Sequence, residues 1–207
     1  VKTRIFALGC LFALASAPVV QTVAQNGQYI YDVQDGEADI FGQLRYEKNV
    51  NGTGLVKLNT VNPNDYQWVR DYGYKDGVTP ITTAGTYVGS EYYAYETTLY
   101  ANTLMPRAIS VVEVNTGEYT AKREIVNWTT EAPLILDEMT YDPKTNRIFG
   151  LHYDTSANKS YIYEIDRKTL DIALVATIDK VLFYTLAADN GSLYAVRKGG
   201  MKSYLSK

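Results

Sequence analysis

After its first two dozen residues the chain alternates apolar and polar positions with a period of two. The clearest runs are Gln28-Tyr29-Ile30-Tyr31-Asp32-Val33, Gly54-Leu55-Val56-Lys57-Leu58, Ser110-Val111-Val112-Glu113-Val114 and Ser160-Tyr161-Ile162-Tyr163-Glu164-Ile165. Successive strand residues point to opposite faces, so this rhythm predicts β-strands, and no window of helical length carries a comparable 3.6-residue period. Between the runs stand Asn51-Gly52, Asn62-Pro63-Asn64-Asp65, Asp76-Gly77, Asn115-Thr116-Gly117, Asp142-Pro143-Lys144-Thr145-Asn146 and Asp189-Asn190-Gly191. These are turn residues: Gly and Asn accept positive φ, Pro presets φ, and Asp and Asn side chains bond the backbone just after them. The chain is therefore expected to be all-β. Phe183 to Ala188 and Ser192 to Val196 read as neighbouring strands of one hairpin with Gly191 at positive φ, and Ala187 and Ala188 as small residues that let strands crowd towards an axis.

The strands recur in a longer pattern. Tyr141 to Gly150 and Ala188 to Ala195 each read as a strand, a polar turn and an apolar-aromatic-small triplet, with Phe149 and Tyr194 spaced 45 residues apart. Ala84 to Ala94 is a third copy, with Tyr93 lying 56 residues before Phe149. A second marker pairs Glu113-Val114-Asn115-Thr116-Gly117 with Glu164-Ile165-Asp166-Arg167-Lys168 at a spacing of 51. A repeat of roughly 40 to 50 residues holding about four strands has the form of a propeller blade. The expected architecture is a β-propeller-like array of four-stranded antiparallel blades, three to four in number. The last repeat stops at Met201 to Lys207, so the final blade is expected to be incomplete. Either Gln28 to Val33 completes it or the array is part of a longer one, and an uncompleted blade leaves an edge open to self-association.

Met139-Thr140-Tyr141-Asp142-Pro143-Lys144-Thr145-Asn146-Arg147-Ile148-Phe149-Gly150, followed by Tyr163-Glu164-Ile165-Asp166 and then Phe183 to Val196, resembles the β-propeller-like repeat proteins secreted by Bacteroidetes-type bacteria. The resemblance spans about residues 84–207. It implies an exported or surface-exposed scaffold and carries over no catalytic residue.

The amino-terminal residues change the picture of where the protein works. Lys2 and Arg4 precede an apolar run from Ile5 to Val20, and Thr22-Val23-Ala24 offers small residues before Gln25. This is the layout of a secretory signal peptide over residues 1–24, leaving a domain over 25–207 that is secreted, periplasmic or on the cell surface. Ala15-Ser16-Ala17 is a poorer cleavage site because Pro18 follows it. The apolar run is short for a spanning helix of about 20 residues, and no later segment is apolar enough to cross a bilayer. The one cysteine, Cys10, lies in the leader, which leaves no disulfide and no cysteine metal site in the remainder. The net charge is −3 with Lys and Arg scattered, so the footprint of a nucleic-acid binder is missing.

Candidate chemistry is sparse. There is no phosphate loop, nucleophile elbow or zinc-protease helix motif, and Lys75 spoils the calcium-loop likeness of Asp71 to Gly77. No cofactor and no metal are expected. His152, the only histidine, reads as a packed or surface residue. Asp137-Glu138 offers adjacent carboxylates for glycan cleavage, but neighbours on a strand face opposite ways. Ala187 to Tyr194 is similar to the Asp-box of sialidase-type propellers, itself a folding device. The informative excess is 19 tyrosines. Tyr66, Trp68, Tyr72 and Tyr74 stand in a polar segment, and Tyr93 and Tyr95 around the next strand, where amphipathic rings suit sugar or peptide surfaces as well as strand packing. These six are the candidate ligand-binding residues of a non-catalytic module that recognises protein or glycan through loops on the blade faces. The alternatives are a glycan-processing propeller using Asp137 or Glu138, and a structural part of a larger surface protein.

Overall fold

The computed structural model describes residues 23–25, 28–30, 39–44, 53–59, 66–72, 79–100, 103–126, 135–199 and 202–206. Residues 1–22 of the leader expected over 1–24, and the turns at Asn51-Gly52, Asn62 to Asp65 and Asp76-Gly77, lie outside them. Turn chemistry sets the local structure. β14 (Phe183–Asp189) and β15 (Ser192–Gly199) pair antiparallel with Asp189 opposite Ser192, and the two residues between, Asn190 and Gly191, have φ of 52° and 81°. That is the tight hairpin turn whose twist matches the strands it joins.

Four further hairpins share one longer turn. They join β8 (Thr103–Glu113) to β9 (Tyr119–Glu124), β10 (Glu138–Asp142) to β11 (Arg147–Asp154), β11 to β12 (Lys159–Ile165), and β12 to β13 (Ile172–Asp179). In each, an acidic side chain at the start, Glu113, Asp142, Asp154 or Asp166, accepts the backbone N–H two residues on. The residue four positions on then turns left-handed, with φ of 72° at Gly117, 58° at Asn146, 55° at Asn158 and 60° at Leu170. The β8–β9 and β12–β13 turns match bond for bond. The Glu113 N–H donates to the Glu118 carbonyl at 2.9 Å and the Asp166 N–H to the Asp171 carbonyl at 2.9 Å. Thr116 and Thr169 each donate a backbone N–H to the acidic side chain and accept, on the hydroxyl, the N–H of residue 118 or 171. The counterpart of Glu113 is therefore Asp166, not Glu164, and the spacing of 51 read from the sequence is corrected to 53.

The strands form sequential antiparallel sheets. The first holds β3 (Asp39–Leu44), β4 (Gly54–Asn59) and β5 (Tyr66–Asp71); the second holds β6 (Thr79–Val88), β7 (Glu91–Tyr100), β8 and β9; the third holds β10 to β13; the fourth holds β14, β15 and β16 (Lys202–Ser206). β1 (Val23–Gln25) and β2 (Gln28–Ile30) pair with each other, so Gln28–Ile30 does not complete the fourth sheet. The three matched aromatics, Tyr93, Phe149 and Tyr194, each occupy the third position of the second strand of a sheet.

Packing explains why the central strands are apolar on both faces. On β7, Tyr92 and Ala94 meet Leu55, Phe41 and Val69 of the first sheet, whereas Tyr93 and Tyr95 point the other way, to Met139, Ile148 and Ile165 of the third. On β11 the alternation repeats: Ile148 faces the second sheet, and Phe149 and Leu151 face Leu186 and Ala195 of the fourth. Each fully buried aliphatic side chain contributes about 1.5–3 kcal/mol relative to exposure. The first strands β6, β10 and β14 lie side by side, and the Ala188 N–H donates to Thr140 Oγ1 at 3.1 Å across that line. Three clusters thus join first to second, second to third and third to fourth sheet. Among the described residues no cluster joins the fourth to the first, no closed ring is present, and no helix is long and apolar enough to cross a membrane.

Candidate ligand-binding site

The two polar turns of the third sheet reach over one end of the second sheet and leave a cleft of about 390 Å³. Its walls are Glu91, Tyr93, Val111 and Thr120 from the second sheet and Asn146, Arg167 and Lys168 from the third. The strand register places them. Glu91 opens β7 directly after the Gly89-Ser90 turn, Tyr93 lies two residues on and faces the same way, and Asn146 and Arg167 sit in the acid-capped turns.

Arg167 is the hub. Its Nε donates to Tyr93 Oη at 3.4 Å, its Nη1 donates to Asn146 Oδ1, and its guanidinium lies 5.7 Å and 5.6 Å from the ring centroids of Tyr93 and Tyr141. Tyr93 donates to Glu91 Oε2 at 3.3 Å, Thr120 donates to Glu91 Oε1 at 3.0 Å, and Tyr141 donates to Asn146 Oδ1 at 3.0 Å. Burial pushes the Tyr93 hydroxyl above its ordinary pKa, against the pull of Arg167, so it stays protonated and donates at neutral pH. The Tyr93 bond in turn holds the Arg167 pKa up. With Lys168 beside it, the rim carries two cations against the one carboxylate of Glu91. A guanidinium fork, an amide, hydroxyls and an aromatic wall suit polar, planar or hydroxyl-bearing ligands.

The six aromatic candidates separate in space. Tyr93 lines the cleft. Tyr95, fully buried in the core cluster between second and third sheets, has its hydroxyl pKa raised by burial and has no surface to offer a ligand, which corrects its reading as a binding residue. Tyr66 and Trp68 are exposed on β5, edge to face with ring centroids 6.0 Å apart, away from the cleft. Tyr72 is half-buried after β5, its N–H donating to the Thr53 carbonyl at 2.8 Å. Tyr74 lies outside the described residues. Sequence reasoning missed Glu91, Thr120, Asn146, Arg167 and Lys168. Only the turn motifs around Asn146 and Asp166 pointed near them, since nothing in the sequence brings residues so distant together.

His152 and Asp137 meet at the other end of the third sheet. His152 Nδ1 lies 2.9 Å from Asp137 Oδ2, which also accepts the Tyr153 N–H at 2.9 Å, and the imidazole stacks over Tyr161. Glu138 pairs with Leu151 and so shares the opposite face, where burial first and the Asp137 charge second push its carboxyl up to about 7. The two carboxylates therefore point apart, as strand alternation requires. Among the described residues no three His, Cys, Asp or Glu side chains are grouped to hold a metal ion. Comparison of the chain with protein-family models and with curated proteins finds no match.

Proposed function

We propose that this chain is an exported binding module, at the cell surface or in the periplasm, which holds a glycan or a protein segment in the cleft between its second and third sheets without turning it over. The cluster of Arg167, Tyr93, Glu91 and Asn146 carries this reading: four polar groups from two sheets converge on one cleft, oriented by bonds to one another. The sequential meanders, with β6, β10 and β14 side by side, support reading the sheets as blades of a propeller-like array, whose turns form the binding face. The leader supports export. Residues 25–207 would be screened on arrays of acidic and neutral glycans and of short peptides, and hits measured by calorimetry. Hydrogen bonds to a charged group are worth about 1.5–3 kcal/mol, so Arg167→Ala is expected to weaken binding roughly ten- to a hundred-fold while Arg197→Ala leaves it unchanged. Equal affinity of Arg167→Ala and the parent for every hit would overturn the assignment of the site.

A further inference from the structure

The cations of the cleft are held differently from their neighbours. Lys122 is matched by Glu96 at 3.1 Å, Arg123 by Asp171 at 3.2 Å, Lys159 by Asp179 at 3.0 Å, and Arg147 by both carboxylate oxygens of Glu164. Arg167 and Lys168 pair with no carboxylate among the described residues. Arg167 is oriented by neutral partners alone, the Tyr93 hydroxyl on Nε, the Asn146 amide oxygen on Nη1 and the rings of Tyr93 and Tyr141 beside its plane. A guanidinium is a rigid fork of N–H donors, so the Nη2 side of this one is left to a ligand. Asn146 Oδ1 already accepts from Arg167 and Tyr141, which leaves its amide nitrogen to donate as well. Lys168 is exposed on the rim. Asp166, in the same turn, accepts the backbone N–H groups of Lys168 and Thr169 and does not line the cleft.

The other end of the cleft has the opposite character. Glu91 takes the Tyr93 hydroxyl on one carboxylate oxygen and the Thr120 hydroxyl on the other, so Tyr93 stands between this carboxylate and the Arg167 fork. One end therefore presents oriented, unneutralised cations and amide donors, and the other presents acceptors that already hold hydroxyls. The apolar wall is slight: Val111 is only 2% exposed and Ala121 is half-buried, so no pocket is offered to an anchoring side chain. A volume of about 390 Å³ lies within the range of about 300–1,000 Å³ usual for small-ligand sites.

We propose that the ligand of this cleft is a glycan bearing a carboxylate, an acidic sugar whose acid group lies on the Arg167 fork beside Lys168 and whose ring hydroxyls meet Glu91 and Thr120. The proposal rests on the reading of the cleft as the binding site and names the chemistry it selects. A planar carboxylate matches the two-pronged guanidinium, and the rings of Tyr93 and Tyr141 shield that contact from water on one side. An acidic peptide fits less well, since it brings carboxylates without hydroxyls and would set like charge against Glu91.

The test presents residues 25–207 with an array of uronate-bearing and sialylated glycans, each beside its carboxyl-reduced form, in which a primary alcohol replaces the acid and the ring hydroxyls remain. Acidic peptides such as tetraglutamate are included. Acidic glycans are expected to bind, and their reduced forms to bind roughly ten- to a hundred-fold more weakly by calorimetry. The two glycan sets show which kind of acidic sugar supplies the group. Lys168→Gln, a change at an exposed position, is expected to weaken the acidic forms roughly two- to five-fold and to leave the reduced forms unchanged. Equal affinity for acidic and reduced forms, among hits that Arg167→Ala weakens, overturns the carboxylate and leaves the cleft as the site. Hits that Arg167→Ala does not weaken overturn the site and the carboxylate together. Absence of any acidic-glycan hit overturns the proposal, whether or not the peptides bind, as does an equal effect of Lys168→Gln on both forms.

Discussion

Tyr93 and Tyr95 stand two residues apart on β7 and face the same way, yet Tyr93 ends at a cleft and Tyr95 in the core. The difference is depth along the strand: Tyr93 is near the turn, where Arg167 and Glu91 meet its hydroxyl, and Tyr95 lies one pleat further in. Position in the pleat also sets the chemistry of Glu138. Its carboxyl is raised to about 7 from an ordinary 4.5, so the folded state holds the proton more tightly than the unfolded chain does. The stability this contributes is full below about pH 4.5 and is lost as pH rises towards about 7, where the buried group ionises. Discounted for its partial exposure, the loss is about 1–2 kcal/mol. Glu138→Gln is expected to unfold at higher denaturant than the parent at pH 8 and at nearly the same concentration at pH 4. Urea melts at the two pH values check this, and an equal offset at both would refute it.

At the scale of elements, the acid-capped turn shows how one backbone conformation is met by different residues. Gly117 and Leu170 occupy the same position with φ of 72° and 60°. A Cβ at Gly117 would lie 2.0 Å from the Val69 carbonyl oxygen of the first sheet, whereas Leu170 is buried in the cluster between second and third sheets. Left-handed backbone costs a side-chain-bearing residue roughly 1–2 kcal/mol, which burial of Leu170 offsets. Gly117→Ala adds the same strain to a backbone clash with nothing to offset it, and is expected to lose at least about 2 kcal/mol in denaturant unfolding. A loss below about 0.5 kcal/mol would show that the first sheet moves aside. The turn was legible in Asp142 to Asn146 because its Asp and Asn are local signals. The equivalence of Glu113 with Asp166 was not, because the acceptor is set by where the strand ends, and the sequence match followed the apolar alternation instead.

For the whole molecule, the shared faces join the four sheets from β3 to β16 into one continuous stack. Ile148, on the third sheet but packed with residues of the second, ties the two together. Ile148→Ala is expected to cost about 2–5 kcal/mol and to move a single transition, seen alike by tyrosine fluorescence and far-ultraviolet circular dichroism. Separate shifts in the two signals would mean that the sheets unfold independently.

What the sequence determined by itself was local: the strands, from a two-residue alternation, the turns, from residues that accept positive φ or cap a strand end, and the repeat, from aromatics at a constant distance from those turns. Each of these depends on neighbours a few residues apart, which is the range over which sequence dictates backbone. Tertiary structure alone decided which aromatics meet solvent, because Tyr66, Trp68, Tyr93 and Tyr95 all stand on alternating strands and differ in which sheet covers them. It also brought Glu91, Asn146 and Arg167 to one cleft, since turns 76 residues apart converge only after two sheets have stacked.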